Sequence, residues 1–240
     1  MSLFISFLAA FILGISKSGL KGMGIVVVTL MAFAFDAKAS TGILLPLLIS
    51  ADILAVIYYN KHAQWKYLLK FLPWMLAGVV VGAIVGKDLP EDVFKKGMAI
   101  IILVSVLIMF VWERFDKSNI PHKMWFAGSI GFTAGFTTMI GNLAGAFSNI
   151  FFLALRIPKN EFIGTAAWLY FIVNIFKLPF HVFSWETINL DSIKTDLVLL
   201  PAVILGFVLG IKIVKIFAEK QYRTFILVMT GIGALVMLIR

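Results

Sequence analysis

The sequence predicts an all-α membrane protein, a polytopic helical bundle of two inverted repeats, and three observations lead to this fold class. Hydrophobic residues make up 61% of the 240 residues and charged residues only 14%, whereas soluble domains carry about 25% charged residues. The apolar stretches are continuous, as in 98–112 and 225–239, and lack the alternation of a membrane β-barrel. The third observation is that two similar halves each begin with a glycine-interrupted apolar block.

Charge and composition exclude several other classes of protein. Cysteine is absent, which excludes disulfides, thiol catalysis and thiolate metal sites. The net charge is +9, but the basic residues lie in short breaks between apolar runs. We interpret them as topology signals and contacts with anionic lipid, and we expect no nucleic-acid partner. No phosphate loop, zinc-binding spacing or nucleophile elbow is found, so we expect no enzyme, cofactor or metal site.

Two of the apolar blocks are too long to be single membrane spans. About 33 residues of helix would reach about 50 Å, against a hydrocarbon core of ~30 Å. Glycine interrupts both blocks, and it lowers helix propensity by about 1 kcal/mol relative to alanine. We therefore predict that each long block is two short helices joined by a bend, at 16–24 and at 137–145. The eight blocks cover 3–35, 39–59, 67–85, 93–112, 124–155, 162–183, 197–217 and 222–239.

An internal repeat is indicated by glycine and proline positions. Gly14 aligns with Gly135, and Gly24 with Gly145, at one constant offset. Pro73 and Pro201 are each followed by glycine five and nine positions later. One such small-residue pattern is weak evidence for any particular fold, but its recurrence in both halves is stronger. We predict a first repeat over 1–112, a cytoplasmic connector over 113–123 and a second repeat over 124–240, each repeat being a broken hairpin followed by three spans.

The distribution of lysine and arginine favours the hairpin interpretation. With both ends of each long block on one side, 12 of the 21 Lys and Arg collect on one side and 6 on the other; continuous spans would give 10 and 8. The positive-inside rule prefers the sharper bias. We therefore expect both termini outside and two halves of opposite orientation. Inverted repeats with broken helices are typical of secondary transporters, which bind substrate where the halves meet.

Several short motifs also resemble a known family. They are 16–24 (SKSGLKGMG), 39–42 with Pro46, 58–59, 62–65 (HAQW) and 72–74 (LPW). These segments are similar to those of the sulfite exporter TauE/SafE family, and the resemblance spans nearly the whole chain. It implies gradient-driven export of a small sulfur-containing anion, such as sulfite, thiosulfate or an organosulfonate, across the cytoplasmic membrane by a multi-pass protein.

The two breaks supply the candidate substrate-binding residues. An oxyanion needs hydrogen-bond donors and positive potential, which exposed N–H groups and helix ends provide. For the lysines the alternative is that they extend to lipid headgroups; for the polar residues of the second break it is hydrogen bonding between helices. The candidates are Lys17, Ser18, Gly19, Lys21, Gly22 and Gly24 in the first break, and Thr137, Thr138, Gly141 and Asn142 in the second.

Polar residues inside two later blocks complete the candidate site. Asp52 is the only acid well inside an apolar block, which makes it a candidate carrier of a coupling proton. The alternatives are a salt bridge to Lys177 or a cap on a broken helix. Asn174, Lys177 and His181 share one helical face, with Trp168 earlier on the same helix.

We assign Trp168, Asn174 and Lys177 to substrate binding and His181, with Asp52, to ion coupling. An interfacial histidine is an equal alternative for His181, which lies near the end of its span. The remaining tryptophans are predicted to form an interfacial belt: Trp65, Trp74, Trp112, Trp125 and Trp185.

Other functions stay open from the sequence alone. The protein could import another small anion, form a channel, or serve as a membrane scaffold or an intramembrane enzyme without any flux. The direction of transport, the coupling ion, which we take to be a proton, and the oligomeric state are not encoded in a readable pattern.

Overall fold

A computed structural model describes residues 2–20, 22–114, 124–216 and 221, and all of its regular elements are helical. This confirms the predicted all-α class for the described part of the chain. The last apolar block, 222–239, and connector residues 115–123 lie outside it. The helices are α1 (Ser2–Lys17), α2 (Gly24–Ala34), α3 (Ala37–Tyr59), α4 (Trp65–Lys87), α5 (Glu91–Arg114), α6 (Met124–Gly141), α7 (Ala144–Ala154), α8 (Lys159–Pro179) and α9 (Leu190–Ile216), with a short 3-10 turn at Asn60–His62 and a π-helical turn at Phe180–Ser184.

Four of the described helical segments are long and apolar enough to cross a membrane. They are Ala37–His62, Trp65–Lys87, Lys159–Ser184 and Leu190–Ile216. Their outward side chains are large and apolar, as at Ile57, Ile84 and Leu205. An apolar surface of this extent suits contact with lipid rather than water. The prediction of a multi-pass membrane protein is therefore confirmed.

Both long blocks are broken where the glycine pattern predicts. The 16 residues of α1 and the 11 of α2 span about 24 Å and 16 Å, each short of the ~30 Å hydrocarbon core. Gly19 and Gly22 have φ of 130° and 98°, a region that glycine adopts without steric cost. At the second break Asn142 takes φ of 57°, and asparagine is among the few other residues tolerated there.

Contacts along the helices fix their relative directions. α1 and α9 run parallel, because Gly14 lies against Val203 while Ser18, further along α1, lies against Gly210. α3 runs with α9, since Ala55 packs with Phe207 and the Lys215 ammonium lies over the ring of Tyr58. Because α1 and α3 run in the same direction, α2, which connects them, runs in the opposite direction.

α8 runs against α3. Near the end of α3, Tyr59 lies against Gly164 at the start of α8, whereas Asp52 bonds to Asn174 further along α8. We call the two ends of the bundle the Lys38 end, where α3 begins, and the Lys61 end, where it finishes. α3 therefore runs from the Lys38 end to the Lys61 end, and α8 runs from the Lys61 end to the Lys38 end.

The second break also reverses the chain. α6 runs parallel to α4, with Gly131 against Phe71 and Ile140 against Gly86. It therefore travels from the Lys61 end to the Lys38 end. α7 returns, since Phe152 near its end packs with Phe71 and with Phe162 of α8. The tips of the two hairpins thus point to opposite ends of the bundle.

The repeated glycines are where helices of different halves touch. A Cβ on Gly14 would lie 2.1 Å from the carbonyl oxygen of Val203, and one on Gly135 would lie 1.9 Å from that of Met75. The α4 and α9 glycines face back: Gly78 lies against Phe132, and Gly206 against Phe11. Such contacts need a residue without a side chain, because the backbones approach so closely.

One tryptophan was wrongly assigned to the interfacial belt. Trp185 is buried, its indole N–H donates to the carbonyl of Ala83 at 3.0 Å, and its ring packs edge-to-face on Phe94. The π-helical turn that follows α8 directs the chain toward the other helices, so the side chain of Trp185 lies in the interior. Exposed tryptophans are found at Trp65, Trp74 and Trp125, and the side chain of Trp112 lies outside the described part.

Candidate functional site

A small cavity lies between the two broken hairpins. Its volume is about 70 Å³, and one water needs roughly 10–15 Å³ of such space, so several waters or one small anion would fit. Residues of both breaks line it, together with one face of α8. The polar and glycine lining residues are Ser16, Lys17, Gly22, Gly24, Thr138, Asn142, Gly145, Asn149, Tyr170 and Asn174.

Lys17 and Asp52 form an ion pair beside this cavity. Lys17 is the last residue of α1, and its Nζ lies 2.6 Å from Oδ1 of Asp52 on α3. Lys17 does not extend to the headgroups, because it is buried. Nor does Asp52 pair with Lys177, the partner that the sequence left as an alternative: its second oxygen accepts from Nδ2 of Asn174 at 2.7 Å. α1 ends beside the middle of α3, so Lys17, rather than Lys177, lies next to Asp52.

Lys177 lies on the other side of Asn174 and is completely buried. Its ammonium donates to Oδ1 of Asn142 and, over longer distances of 3.4 Å and 3.5 Å, faces Oγ1 of Thr138 and Oδ1 of Asn174. No carboxylate oxygen of the described residues lies within 4.0 Å of it. This lysine therefore has neutral partners only within that part of the chain.

A continuous polar network results. It joins Lys17, Asp52, Asn174, Lys177 and Asn142 in that order, from the tip of the first hairpin to the tip of the second. The network contains two ammonium groups and one carboxylate. Charges inside a membrane protein are costly and mark ion or substrate pathways. An excess of positive charge among neutral donors can hold an anion.

At the first break, the predicted residues divide between the cavity and its wall. Gly22 and Gly24 line the cavity with Lys17. Ser18 lies behind it: its hydroxyl donates to the carbonyl of Ile15, and its own carbonyl accepts from the Tyr59 hydroxyl at 2.8 Å. Gly19 packs against Ile163 and Val214 near the Lys61 end. Lys21 lies outside the described residues.

At the second break, Asn142 is the central residue. Its positive φ turns the chain between α6 and α7, its Oδ1 accepts from Lys177, and its Nδ2 donates to the carbonyl of Thr41 at 3.1 Å. Thr138 lines the cavity. Thr137 bonds within its own helix to the carbonyl of Ala134, and Gly141 packs against Met98. Thr137 and Gly141 therefore do not line the cavity.

Two residues predicted on α8 lie away from the cavity. Trp168, in the middle of α8, packs on Trp65 at the start of α4 with ring centroids 5.2 Å apart. His181 is completely buried, with Nδ1 2.8 Å from Oγ1 of Thr187 and its ring edge-to-face with Trp185. The alternative of an interfacial histidine is therefore wrong, because the π-helical turn directs the ring inward. Among the described contacts of His181 there is none with Asp52, the residue with which the sequence analysis grouped it for ion coupling.

The sequence reasoning missed residues of α7 and α8. Tyr170 lines the cavity, holds the Lys17 ammonium 4.8 Å from its ring centre and hydrogen-bonds to Ser148. Asn149 also lines the cavity, and its Oδ1 is buried without a hydrogen-bond partner in the described part of the chain. The available signal was an amide within an apolar helix, one turn after Gly145 on the same face.

Comparison with known proteins agrees with this organisation. The family model described as sulfite exporter TauE/SafE matches residues 4–237, which include both breaks and every residue of the network. The resemblance seen in the short motifs is thereby confirmed. Neither the curated proteins nor the solved structures give a match.

Proposed function

Because the chain belongs to the sulfite exporter TauE/SafE family, we propose that it is a secondary transporter that exports sulfite, thiosulfate or an organosulfonate across the cytoplasmic membrane. The family and the apolar helices support a multi-pass membrane transporter of sulfur-containing anions. The substrate, the direction and the coupling are our proposal. So is the location in the inner membrane.

The observation that carries this proposal is the buried network beside the cavity. Its two ammonium groups outnumber its one carboxylate, and Lys177 is surrounded by neutral groups within the described residues. At low dielectric an opposite charge nearby is strongly favoured. A sulfur oxyanion supplies that charge together with several acceptors for the amide and hydroxyl donors of Asn142, Asn174 and Thr138.

The helix directions support a transporter built from two inverted repeats. The first helix of each half pairs in parallel with the fourth helix of the other half: α1 with α9, and α6 with α4. The equivalent helices α3 and α8 run antiparallel. Halves 1–112 and 124–240, related by a two-fold axis in the membrane plane, would produce this pattern.

Contacts at both ends support alternating access over a channel. At the Lys61 end the Tyr59 hydroxyl holds the tip of the first hairpin at Ser18. At the Lys38 end Asn142 bonds to Thr41, and Gly42 packs against Thr187. An alternating transporter closes one end while the other opens, whereas a channel needs both open together. Rocking of the two halves would break one set of contacts at a time.

For coupling, we take Asp52 as the proton-binding group. Neutralising this carboxylate leaves Lys17 without its paired anion, as Lys177 already is within the described residues, so proton and substrate anion would bind cooperatively and move together. Export in this mode needs an outward gradient of the substrate or of protons. An anion that crosses without a proton is driven outward by the membrane potential instead, by about 2.3 kcal/mol per 100 mV. These two modes differ in their dependence on voltage.

The test is flux in proteoliposomes containing the purified protein. We expect saturable efflux of sulfite, thiosulfate or an organosulfonate, and either an imposed pH gradient or an imposed potential should drive it. Flux that does not saturate would indicate a channel, and uptake only would indicate an importer. Absence of flux for every anion would leave a membrane scaffold and contradict the proposal.

A further inference from the structure

An open groove lies on the outer surface of the bundle, between α4 and α6. Its volume is about 520 Å³, within the range of roughly 300–1,000 Å³ that ligand sites occupy. Because α4 is long and apolar enough to cross a membrane, the groove opens toward lipid. The residues that line it are Trp74, Trp125, Gly128, Ser129 and Phe132.

The groove has a floor of small residues and walls of aromatic rings. A Cβ on Gly128 would lie 3.3 Å from the ring of Trp74, and the hydroxyl of Ser129 donates to the carbonyl of Phe126 within its own helix. The rings of Trp74 and Trp125 are exposed on either side. A groove with apolar walls, whose one hydroxyl is already hydrogen-bonded, suits an acyl chain rather than a polar solute.

Two lysines lead from the groove to the Lys61 end. Lys66 and Lys70 precede Trp74 on α4 by eight and four positions, which places the three residues on one helix face. They lie about 12 Å and 6 Å nearer to the start of α4, at 1.5 Å per residue. Lys66 is exposed and Lys70 half-buried. Their ammonium groups can therefore reach the headgroup layer, while Trp74 lies among the acyl chains.

The equivalent face of the other half differs where the groove is built. α1 and α9 pair as α6 and α4 do, so the alignment of the two repeats gives each groove residue a counterpart. The counterparts of Gly128, Trp74 and Lys70 are Phe7, Ala202 and Val198. Phe7 packs partly buried against the core at the position of the groove floor. Lys66 has a lysine counterpart, Lys194. Paired lysines beside aromatic walls are thus not a consequence of helix pairing itself.

We propose that this groove binds one anionic phospholipid, with an acyl chain between Trp74 and Trp125 and the phosphate at Lys66 and Lys70. Basic clusters at the cytoplasmic ends of membrane helices attract anionic headgroups, and the charge bias places the Lys61 end in the cytoplasm. Because α4 belongs to the first repeat and α6 to the second, the lipid contacts both halves and stabilises their packing. The inference does not depend on which anion is transported.

Two phospholipids with the same chains and different headgroups test the proposal. Dioleoylphosphatidylglycerol carries a net negative charge, and dioleoylphosphatidylcholine carries none. Each is added to the delipidated full chain in an uncharged detergent, bound lipid is counted by native mass spectrometry, and the melting temperature is recorded. We expect the wild type to bind one phosphatidylglycerol per chain, at least about tenfold more tightly than phosphatidylcholine. Phosphatidylglycerol should also raise the melting temperature more.

Substitutions at the lysines and in the groove test its two parts separately. Lys66→Gln combined with Lys70→Gln should remove the preference for phosphatidylglycerol. Ser129→Trp should fill the groove and weaken the binding of both lipids. The matched controls Lys194→Gln and Leu8→Trp change the exposed equivalent positions of the other half, and they should bind both lipids like the wild type.

Several results would overturn the lipid site. One is equal affinity of the wild type for the two lipids; another is an equal loss in the lysine variant and in Lys194→Gln, which would indicate general surface charge. Wild-type lipid binding in Ser129→Trp would place the chain elsewhere. A dimer that Ser129→Trp dissociates and Leu8→Trp does not would make a second copy of the protein the occupant.

The lysine variant and Ser129→Trp each decide the matter alone, so misfolding of one leaves the test intact. Failure of the lipid site leaves the proposed transport function standing, because these measurements involve no sulfur anion.

Discussion

The Nζ of Lys17 lies 2.6 Å from a carboxylate oxygen of Asp52, although 35 positions separate the two residues in the chain. Both are buried, Asp52 completely. The pair fastens the tip of the first hairpin to α3. Removing one partner from a buried pair leaves an uncompensated charge and typically costs about 3–5 kcal/mol.

We therefore predict that Lys17→Met lowers the thermal stability of the detergent-solubilised protein, because it leaves the Asp52 carboxylate without its cation. Asp52→Asn should do the same by leaving Lys17 unpaired, and the double variant should recover most of the loss. The exposed pair Lys194–Asp191 provides the control: Lys194→Met should leave the melting temperature unchanged. Single variants at Lys17 and Asp52 that melt with the wild type would contradict the account of this pair.

A second prediction separates the backbone role of Asn142 from its side-chain role. Its φ of 57° suits glycine but strains alanine, so Asn142→Ala should be less stable than Asn142→Gly by about 1 kcal/mol. Both variants remove the acceptor of Lys177 and the donor to Thr41. Both should therefore bind a sulfur anion more weakly. Thermal unfolding and calorimetric titration measure the two effects separately.

If the two Asn142 variants melted at the same temperature, the turn geometry would not limit stability. If Asn142→Gly bound the sulfur anion with wild-type affinity, the side chain of Asn142 would not be part of the substrate site.

The contact between α4 and α6 gives a third prediction. Gly135→Ala would place a Cβ 1.9 Å from the carbonyl oxygen of Met75, and rigid backbone cannot yield at that distance. The variant should accumulate poorly and melt well below the wild type. Gly97, a helical glycine of α5, has no atom of the described residues within 4 Å of such a Cβ. Gly97→Ala should keep or raise stability, by up to about 1 kcal/mol. Equal behaviour of the two variants would contradict the close packing.

The sequence predicted the helices and both breaks because these depend on local features. Continuous apolar runs give the spans, and the glycines Gly24 and Gly145, 121 positions apart, mark the equivalent breaks. It also singled out Lys17, Asp52 and Lys177, since charge within an apolar block is rare, and the structure joins all three in one network. These signals are present in the residues themselves.

The pairing within the site could not be predicted. Whether Asp52 meets Lys17 or Lys177 depends on how far α1 extends along α3, which no local pattern specifies. His181 and Trp185 appeared interfacial because they lie near the end of an apolar run, yet the π-helical turn directs them inward. Asn149 was missed because a single amide within α7 looks like any helix-packing residue until its surroundings are known.

The fourth prediction concerns orientation. Lys61 and Lys194 are exposed at opposite ends of the bundle, and the charge bias places the Lys61 end in the cytoplasm. The chain has no cysteine, so Lys61→Cys and Lys194→Cys each introduce a single thiol. In intact cells an impermeant thiol reagent should label only Lys194→Cys, and Lys61→Cys should react after permeabilisation. Labelling of both from one side would contradict the helix directions described here.

We propose that the positive charge of Lys177, which lies behind Asn142 and Asn174 and does not line the cavity, attracts the substrate anion. Calorimetric titration of sulfite into the wild type, Lys177→Met and the exposed control Lys194→Met tests this proposal. Methionine keeps the length of the side chain and removes the charge, so Lys177→Met should remain folded, with a melting temperature close to that of the wild type. We expect wild-type affinity in the control and at least a roughly tenfold loss in Lys177→Met, because the anion then lacks a nearby positive charge at low dielectric. Equal affinity in all three proteins would contradict it.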